Sequence, residues 1–131
     1  MRLYLDSAPI IYLIERSPHF AASVESRLQI AEVQAVTSEL ARLECRVKPI
    51  RDKEPEVLAD YDQFFAEAIT EMVALTHEVI DLATEIRATY GFKTPDAIHV
   101  AAAVASGCNV FLTNDHRLDR YGGIAVETVS E

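Results

Sequence analysis

Apolar positions along the chain fall into short continuous runs and into stripes spaced three or four residues apart, and the two patterns alternate from one end to the other. Residues 3–5 form a short run closed by Asp6, as expected of a strand buried on both faces. Ser7 is placed to cap a helix through about residue 15, with Pro9 tolerated in its first turn. Ser17-Pro18 opens a second helical segment, in which Phe20, Val24, Leu28 and Ala31 recur at helical spacing. Residues 34–37 suit a strand. Ser38 then caps a helix to about residue 47 that Pro49 should stop, with Leu40, Leu43 and Val47 marking its inward stripe. An acidic helix is expected over about 56–70 and a strand over 72–75. Thr76 caps the next helix, whose stripe is Val79, Leu82, Ala83, Ile86 and Tyr90 and whose end is Gly91. Thr94 caps and Pro95 opens a helix to about residue 106, ended by Gly107. A strand over 109–112, a helical turn after Asp115 and an edge strand over 125–128 complete the reading.

Strands that alternate with helices, without tight hairpin signals, predict a mainly parallel sheet of four or five strands covered on both faces, a three-layer α/β/α arrangement. No repeat, linker or low-complexity tract divides the chain, so one domain over residues 1–131 is expected, with half its residues apolar and able to fill a core.

The formal net charge of -9 removes one class of partner surface from consideration. A broad cationic face is excluded, and any contact with nucleic acid needs local basic groups or bound cations. Residues 52–81 hold nine carboxylates against the single Lys53, a pattern of solvated helix surface, whereas Arg42, Arg46, Lys48, Arg51 and Lys53 form a short basic stretch. The two cysteines, Cys45 and Cys108, lie among apolar residues at no ligand spacing and read as small buried hydrophobes of a reducing compartment. The opening residues have no secretion-signal pattern, and no apolar run approaches the roughly 20 residues that span a bilayer. A cytoplasmic protein without membrane attachment is expected.

The acids carry the chemistry. Ligands of open parallel sheets bind beyond the carboxyl ends of the strands. Asp6 leaves the first strand at that end and Asp115 leaves the fourth. Asp96 stands in the first turn of a helix reading Ala97-Ile98-His99-Val100-Ala101-Ala102-Ala103-Val104-Ala105, apolar nearly all round and therefore buried, which brings that turn toward the middle of the molecule. Ordinary helix capping would also account for aspartates at such places. On the helix after the second strand, Glu39 and Glu44 sit at opposite borders of the expected inward stripe, and spacing alone does not choose between them. Carboxylates converging from four segments repel one another unless a cation neutralises them. An all-oxygen cluster suits Mg²⁺ or Mn²⁺, and an ion so held activates water for phosphodiester hydrolysis. Arg42 and Arg46, four residues apart, are candidates for steering a substrate. A mixed site using Asp96, His99 and His116 is the less favoured arrangement, a histidine on an apolar helix being more often packed with its ring hydrogen-bonded. No GxSxG setting or phosphate-cradling glycine loop occurs, and an aspartyl phosphotransferase would want an acid where Ala8 stands.

The stretches Leu5-Asp6-Ser7, Thr37-Ser38-Glu39-Leu40-Ala41-Arg42-Leu43-Glu44-Cys45, Thr94-Pro95-Asp96-Ala97-Ile98-His99-Val100-Ala101-Ala102-Ala103 and Leu112-Thr113-Asn114-Asp115 resemble the successive motifs of PIN domains, over nearly the whole chain and in the family's order. The resemblance implies that Asp6, Glu44, Asp96 and Asp115 are the catalytic, metal-holding acids and so favours Glu44 over Glu39. It implies that Thr113 and Asn114 orient ligands or substrate near the metal, with Asp119 a further candidate acid. The activity it implies is Mg²⁺- or Mn²⁺-dependent cleavage of single-stranded RNA by a PIN-like α/β fold. The short chain is similar to the stand-alone VapC toxins, which implies a homodimer and a VapB-type antitoxin as partner. The apolar Pro9-Ile10-Ile11-Tyr12-Leu13-Ile14 would then be partly covered by such a contact. The competing expectation is a PIN-like module that binds RNA or protein without cleaving.

Overall fold

The computed structural model describes residues 1–130. A strand β1 (Arg2–Leu5) leads to helices α1 (Ser7–Ile14) and α2 (Ala21–Leu28), then to β2 (Gln34–Ser38), α3 (Glu39–Arg51), α4 (Pro55–Glu67) and β3 (Glu71–Val73). Two helices follow, α5 (His77–Tyr90) and α6 (Thr94–Ala105). The chain ends in β4 (Val110–Thr113), a 3₁₀ turn (His116–Arg120) and β5 (Ala125–Thr128). All neighbouring strands are parallel, in the order β3-β2-β1-β4-β5. The chain therefore builds outward from β1 on one side and returns to build on the other. The order reverses between β1 and β4, where Leu5 pairs with Leu112, and this is where such sheets receive ligands.

Period-two alternation assigns each strand residue to a face. Tyr4, Val36 and Phe111 point to the side covered by α5 and α6, where they meet Val79, Ile86, Val100 and Ala103. Leu3, Leu5, Val110 and Leu112 point to the other side, against Ile10, Ala41, Cys45 and Phe65. The rings of Tyr4 and Phe111 stack across β1 and β4 with centroids 5.3 Å apart. Residues 97 and 99–103 of α6 are all buried, so this helix is sandwiched as its sequence predicts.

Several element boundaries differ from the sequence reading, each for a local reason. Asp6, not Ser7, caps α1, because its carboxylate accepts from the Ser7 amide. Ser38 stands before α3 without capping it, its hydroxyl being engaged by Tyr4. Lys93 occupies the cap position of α6, and Thr94 and Pro95 form its first turn. α2 begins at Ala21, α4 ends at Glu67, and Leu75 lies beyond β3. Pro49 does not stop α3. It lies inside the helix with its ring buried, and the chain is closed beyond it by Asp52 N–H to Lys48 O (2.8 Å) and Glu54 N–H to Pro49 O (2.8 Å). Burial of the ring offsets the one amide donor that proline lacks. The inward stripe of α3 is also different: Ala41, Cys45 and Pro49 are buried, whereas Leu43 and Val47 are 59% and 51% exposed. Cys45 is buried and Cys108 half-buried, both as free thiols. Among the described residues no helix is long and apolar enough to cross a membrane.

Candidate active site

Asp6 prolongs β1 by one ladder bond, its amide donating to Leu112 O at 3.0 Å, and so sits on the rim at the switch point. Its side chain is nearly enclosed. Oδ1 accepts from Ser7 N (2.7 Å) and Oδ2 from Thr113 Oγ1 (2.7 Å). The same Thr113 hydroxyl accepts from the amide of Asp115 at 3.1 Å, so the last residue of β4 ties the two acids together.

Glu44 enters from α3, beside the buried Ala41 and Cys45. Its Oε1 accepts from Ser7 Oγ (2.7 Å) and from His99 Nε2 (2.6 Å). Half-burial works to raise this carboxyl, but the hydrogen bonds from His99 and Ser7 outweigh it and hold Glu44 below its ordinary value. Glu39 is exposed and pairs with Arg42 at 3.9 Å, and among the described residues no hydrogen bond joins it to the other acids. Of the two glutamates, Glu44 is the one that shares His99 with Asp6.

Asp96 occupies the first turn of α6 and lines a cleft of about 160 Å³ with Asp115, Lys93 and Arg117. Burial, then the charges of Asp6 and Asp115, push its carboxyl above the usual range. Asp115 is differently placed. It caps the 3₁₀ turn and is gripped by Arg117, Nε on Oδ1 at 2.9 Å and Nη2 on Oδ2 at 2.8 Å. That paired hydrogen bonding lowers its carboxyl to about 2.

Thr113 is therefore at the centre of the acids, whereas Asn114 is exposed and donates to Tyr12 Oη at 3.1 Å. Arg42 and Arg46 pair with Glu39 and with Asp62 on α4, and they line a groove along α3. Asp119 is exposed. Among the described residues no hydrogen bond or ion pair joins Arg42, Arg46 or Asp119 to the four acids, and His116 makes none either. The sequence reading missed Ser7, Tyr4 and Arg117, and it weighed His99 as a packed residue or, less favoured, as a metal ligand with Asp96 and His116. The signal for His99 was its place three residues after Asp96 as the one polar side chain of an apolar run.

Among the described residues no three His, Cys, Asp or Glu side chains form a ready cage for one ion. The donor chemistry nevertheless fits a hard dication. Asp6, Asp96 and Asp115 are close enough for two of them to raise the third, an all-oxygen set whose repulsion such an ion relieves. Of the cationic groups near the acids, Arg117 holds Asp115 from an exposed position, its side chain 70% accessible, and so yields at little cost.

The sequence matches the PIN domain family model over residues 3–124. No curated protein sequence matches significantly. The fold is similar to that of VapBC2 from Rickettsia felis bound to a DNA fragment from their promoter, with TM-score 0.83, 15% identity and coverage of 99% of this chain and 100% of the other. DNA-bound VapBC from Salmonella typhimurium gives TM-score 0.79 at 18% identity, covering 98% of each chain. VapC20 of Mycobacterium tuberculosis, a sarcin-ricin loop cleaving toxin, gives 0.76 at 12% identity, covering 92% of this chain and 95% of that one. With its acids on the rim where the strand order reverses and its sequence matching from the first strand to the last loop, the chain belongs to the PIN-domain family.

Proposed function

We propose that the protein is a metal-dependent endoribonuclease, the toxin of a VapBC-type toxin–antitoxin pair, acting on single-stranded RNA in the cytoplasm. The observation that carries the proposal is the pressure on Asp96, a carboxylate raised by its burial and then by the charges of Asp6 and Asp115, and sharing a cleft with Asp115. Asp6, Glu44, Asp96 and Asp115 would hold Mg²⁺ or Mn²⁺. A bound ion of this kind lowers the pKa of its water and stabilises charge developing on a phosphoryl oxygen. The chain's own residues do the rest. Thr113 fixes the spacing of Asp6 and Asp115, Ser7 and His99 aim Glu44, and Lys93 and Arg117 give the cleft mouth positive charge for a phosphate backbone.

Two surfaces support the expected partners. Leu43, Val47 and Ile50 of α3, with Leu75 just before α5, line one surface and are large apolar side chains left exposed, as a homodimer face would require. A groove of about 530 Å³ bordered by Leu13, Ile14, Leu28 and Phe64 runs between α1, α2 and α4 and fits an apolar segment of a VapB-type antitoxin. The likeness to VapBC assemblies supports the same partner.

A second reading, a PIN-like module that binds without cleaving, draws on the lack of a ready ion cage among the described residues. Single-turnover cleavage of end-labelled single-stranded RNA, with Mn²⁺ or with EDTA, separates the two. Cleavage should need the ion, and Asp96→Asn should lower the rate by about 100-fold or more, as for loss of a group that holds the metal. Parental cleavage by Asp96→Asn would overturn the assignment. Metal-independent RNA binding without cleavage, unchanged in Asp96→Asn, would favour the module.

A further inference from the structure

Two of the four acids, Glu44 and Asp6, meet at a buried imidazole. His99 is 1% exposed on α6, one turn beyond Asp96. Its Nε2 lies 2.6 Å from Glu44 Oε1, 3.4 Å from Asp6 Oδ1 and 3.4 Å from Ser7 Oγ. Its Nδ1 lies 2.8 Å from Tyr4 Oη, and that phenol donates to Ser38 Oγ at 2.8 Å. The Tyr4 and His99 rings meet edge to face, with centroids 5.9 Å apart.

Each link restricts the next. Tyr4 is fully buried and stacked on Phe111, so its hydroxyl is a fixed point in the core. The hydrogen bond between that fixed point and Nδ1 leaves the imidazole one orientation. Glu44, a carboxylate, only accepts, so Nε2 carries the hydrogen between them. A nitrogen that carries a hydrogen has no lone pair for an ion, which makes this edge of the ring a holder of carboxylates and not a ligand. Outer partners of this kind aim the groups that bind a metal, and their removal typically weakens metal binding by about 10–100-fold.

We propose that His99 is a positioning residue of the metal site, a ring locked by Tyr4 that holds Glu44 and Asp6 in place while its own helix delivers Asp96. The inference rests on the metal-dependent reading above and deepens it. α6 thereby sets three of the acids, one as its own side chain and two through one imidazole.

The test titrates MnCl₂ alone into the protein by calorimetry, with free Mn²⁺ counted by its electron paramagnetic resonance signal and thermal melts run alongside. Wild type should bind. His99→Leu should weaken binding about 10–100-fold, and His99→Gln, which can place an amide N–H near the position of Nε2, should recover most of it. Tyr4→Phe keeps the ring in the core and releases the imidazole together with Ser38 Oγ. It should melt cooperatively and bind several-fold more weakly, which keeps the proposal testable if His99→Leu fails to fold. Equal affinity in wild type and Tyr4→Phe would overturn the positioning role while leaving the metal-dependent reading intact. A wild type that binds no Mn²⁺ and cleaves no RNA would overturn both.

Discussion

Asp6 and Asp115 leave the carboxyl ends of neighbouring strands and share one threonine hydroxyl, yet their surroundings are opposite. Asp6 is 8% exposed and held by groups that cannot move without disturbing the sheet, the Ser7 amide and Thr113. Asp115 is held by an exposed arginine two residues away, on the same 3₁₀ turn. The inner half of the site, around Asp6, is thus a frame built into the core, and the outer half, around Asp115, is held by an exposed ion pair. The difference teaches where this site stores its order. Burial and shared hydrogen bonds fix the geometry on one side, and exchangeable ion pairs keep the other side open to a cation or a phosphate.

The sharpest way to break the comparison is Thr113→Val, which keeps the shape and removes the shared hydroxyl. It leaves Asp6 Oδ2 and the Asp115 amide without their partner inside the protein. Urea unfolding at neutral pH should show a loss of about 2–3 kcal/mol, the range for a hydrogen bond to a buried charge. A loss below about 0.5 kcal/mol would show the inner half to be less of a frame than its geometry indicates.

Asp96, between the two halves, gives a smaller effect of opposite sign. Its folded carboxyl lies above the ordinary 3.8, so the folded state holds the proton more tightly and stability falls as pH rises through that window. In EDTA, Asp96→Asn should therefore melt at a modestly higher temperature than wild type near pH 7. The gain should disappear below pH 3.8, where the native side chain is already neutral. A difference that does not change with pH would remove the like-charge account.

Arg117→Ala should have the least effect on the fold and a visible one on the outer half. Unfolding should be unchanged, while the Asp115 carboxyl climbs from about 2 toward its ordinary range and Mn²⁺ binds a few-fold more tightly. A weaker Mn²⁺ affinity in this variant would mean that Arg117 supports the site instead of competing for it.

The sheet and the buried helix were legible because their signals are strong and redundant. Continuous runs such as Leu3-Tyr4-Leu5 have one structural meaning when helices lie on both sides, and α6 is apolar on every side. The face of α3 was not legible, because the chain packs its small residues inward and its large ones outward. Ala41 and Cys45 permit close approach to the core, while Leu43 and Val47 remain exposed, the reverse of what size and hydropathy suggest. Glu39 and Glu44 were accordingly weighed against the wrong stripe, and family resemblance supplied what periodicity could not. Ser38 has the right residue type for a cap, but Tyr4, distant in sequence, takes its hydroxyl. The role of His99 was hidden for the same reason, since all its partners come from other elements.

The central position of β1 also sets a timetable. Its neighbours are β2, formed soon after it, and β4, which begins only at Val110. During synthesis, the strand that carries Asp6 waits with one edge bare until β4 has left the ribosome. Thr113, the bridge between the first and last acids, arrives later still. Such distant pairing folds slowly and leaves sticky intermediates. It also means that a product cut short before Asp115 carries no assembled cleft, so the cell that makes this protein meets the constellation of four acids only after that residue has been made.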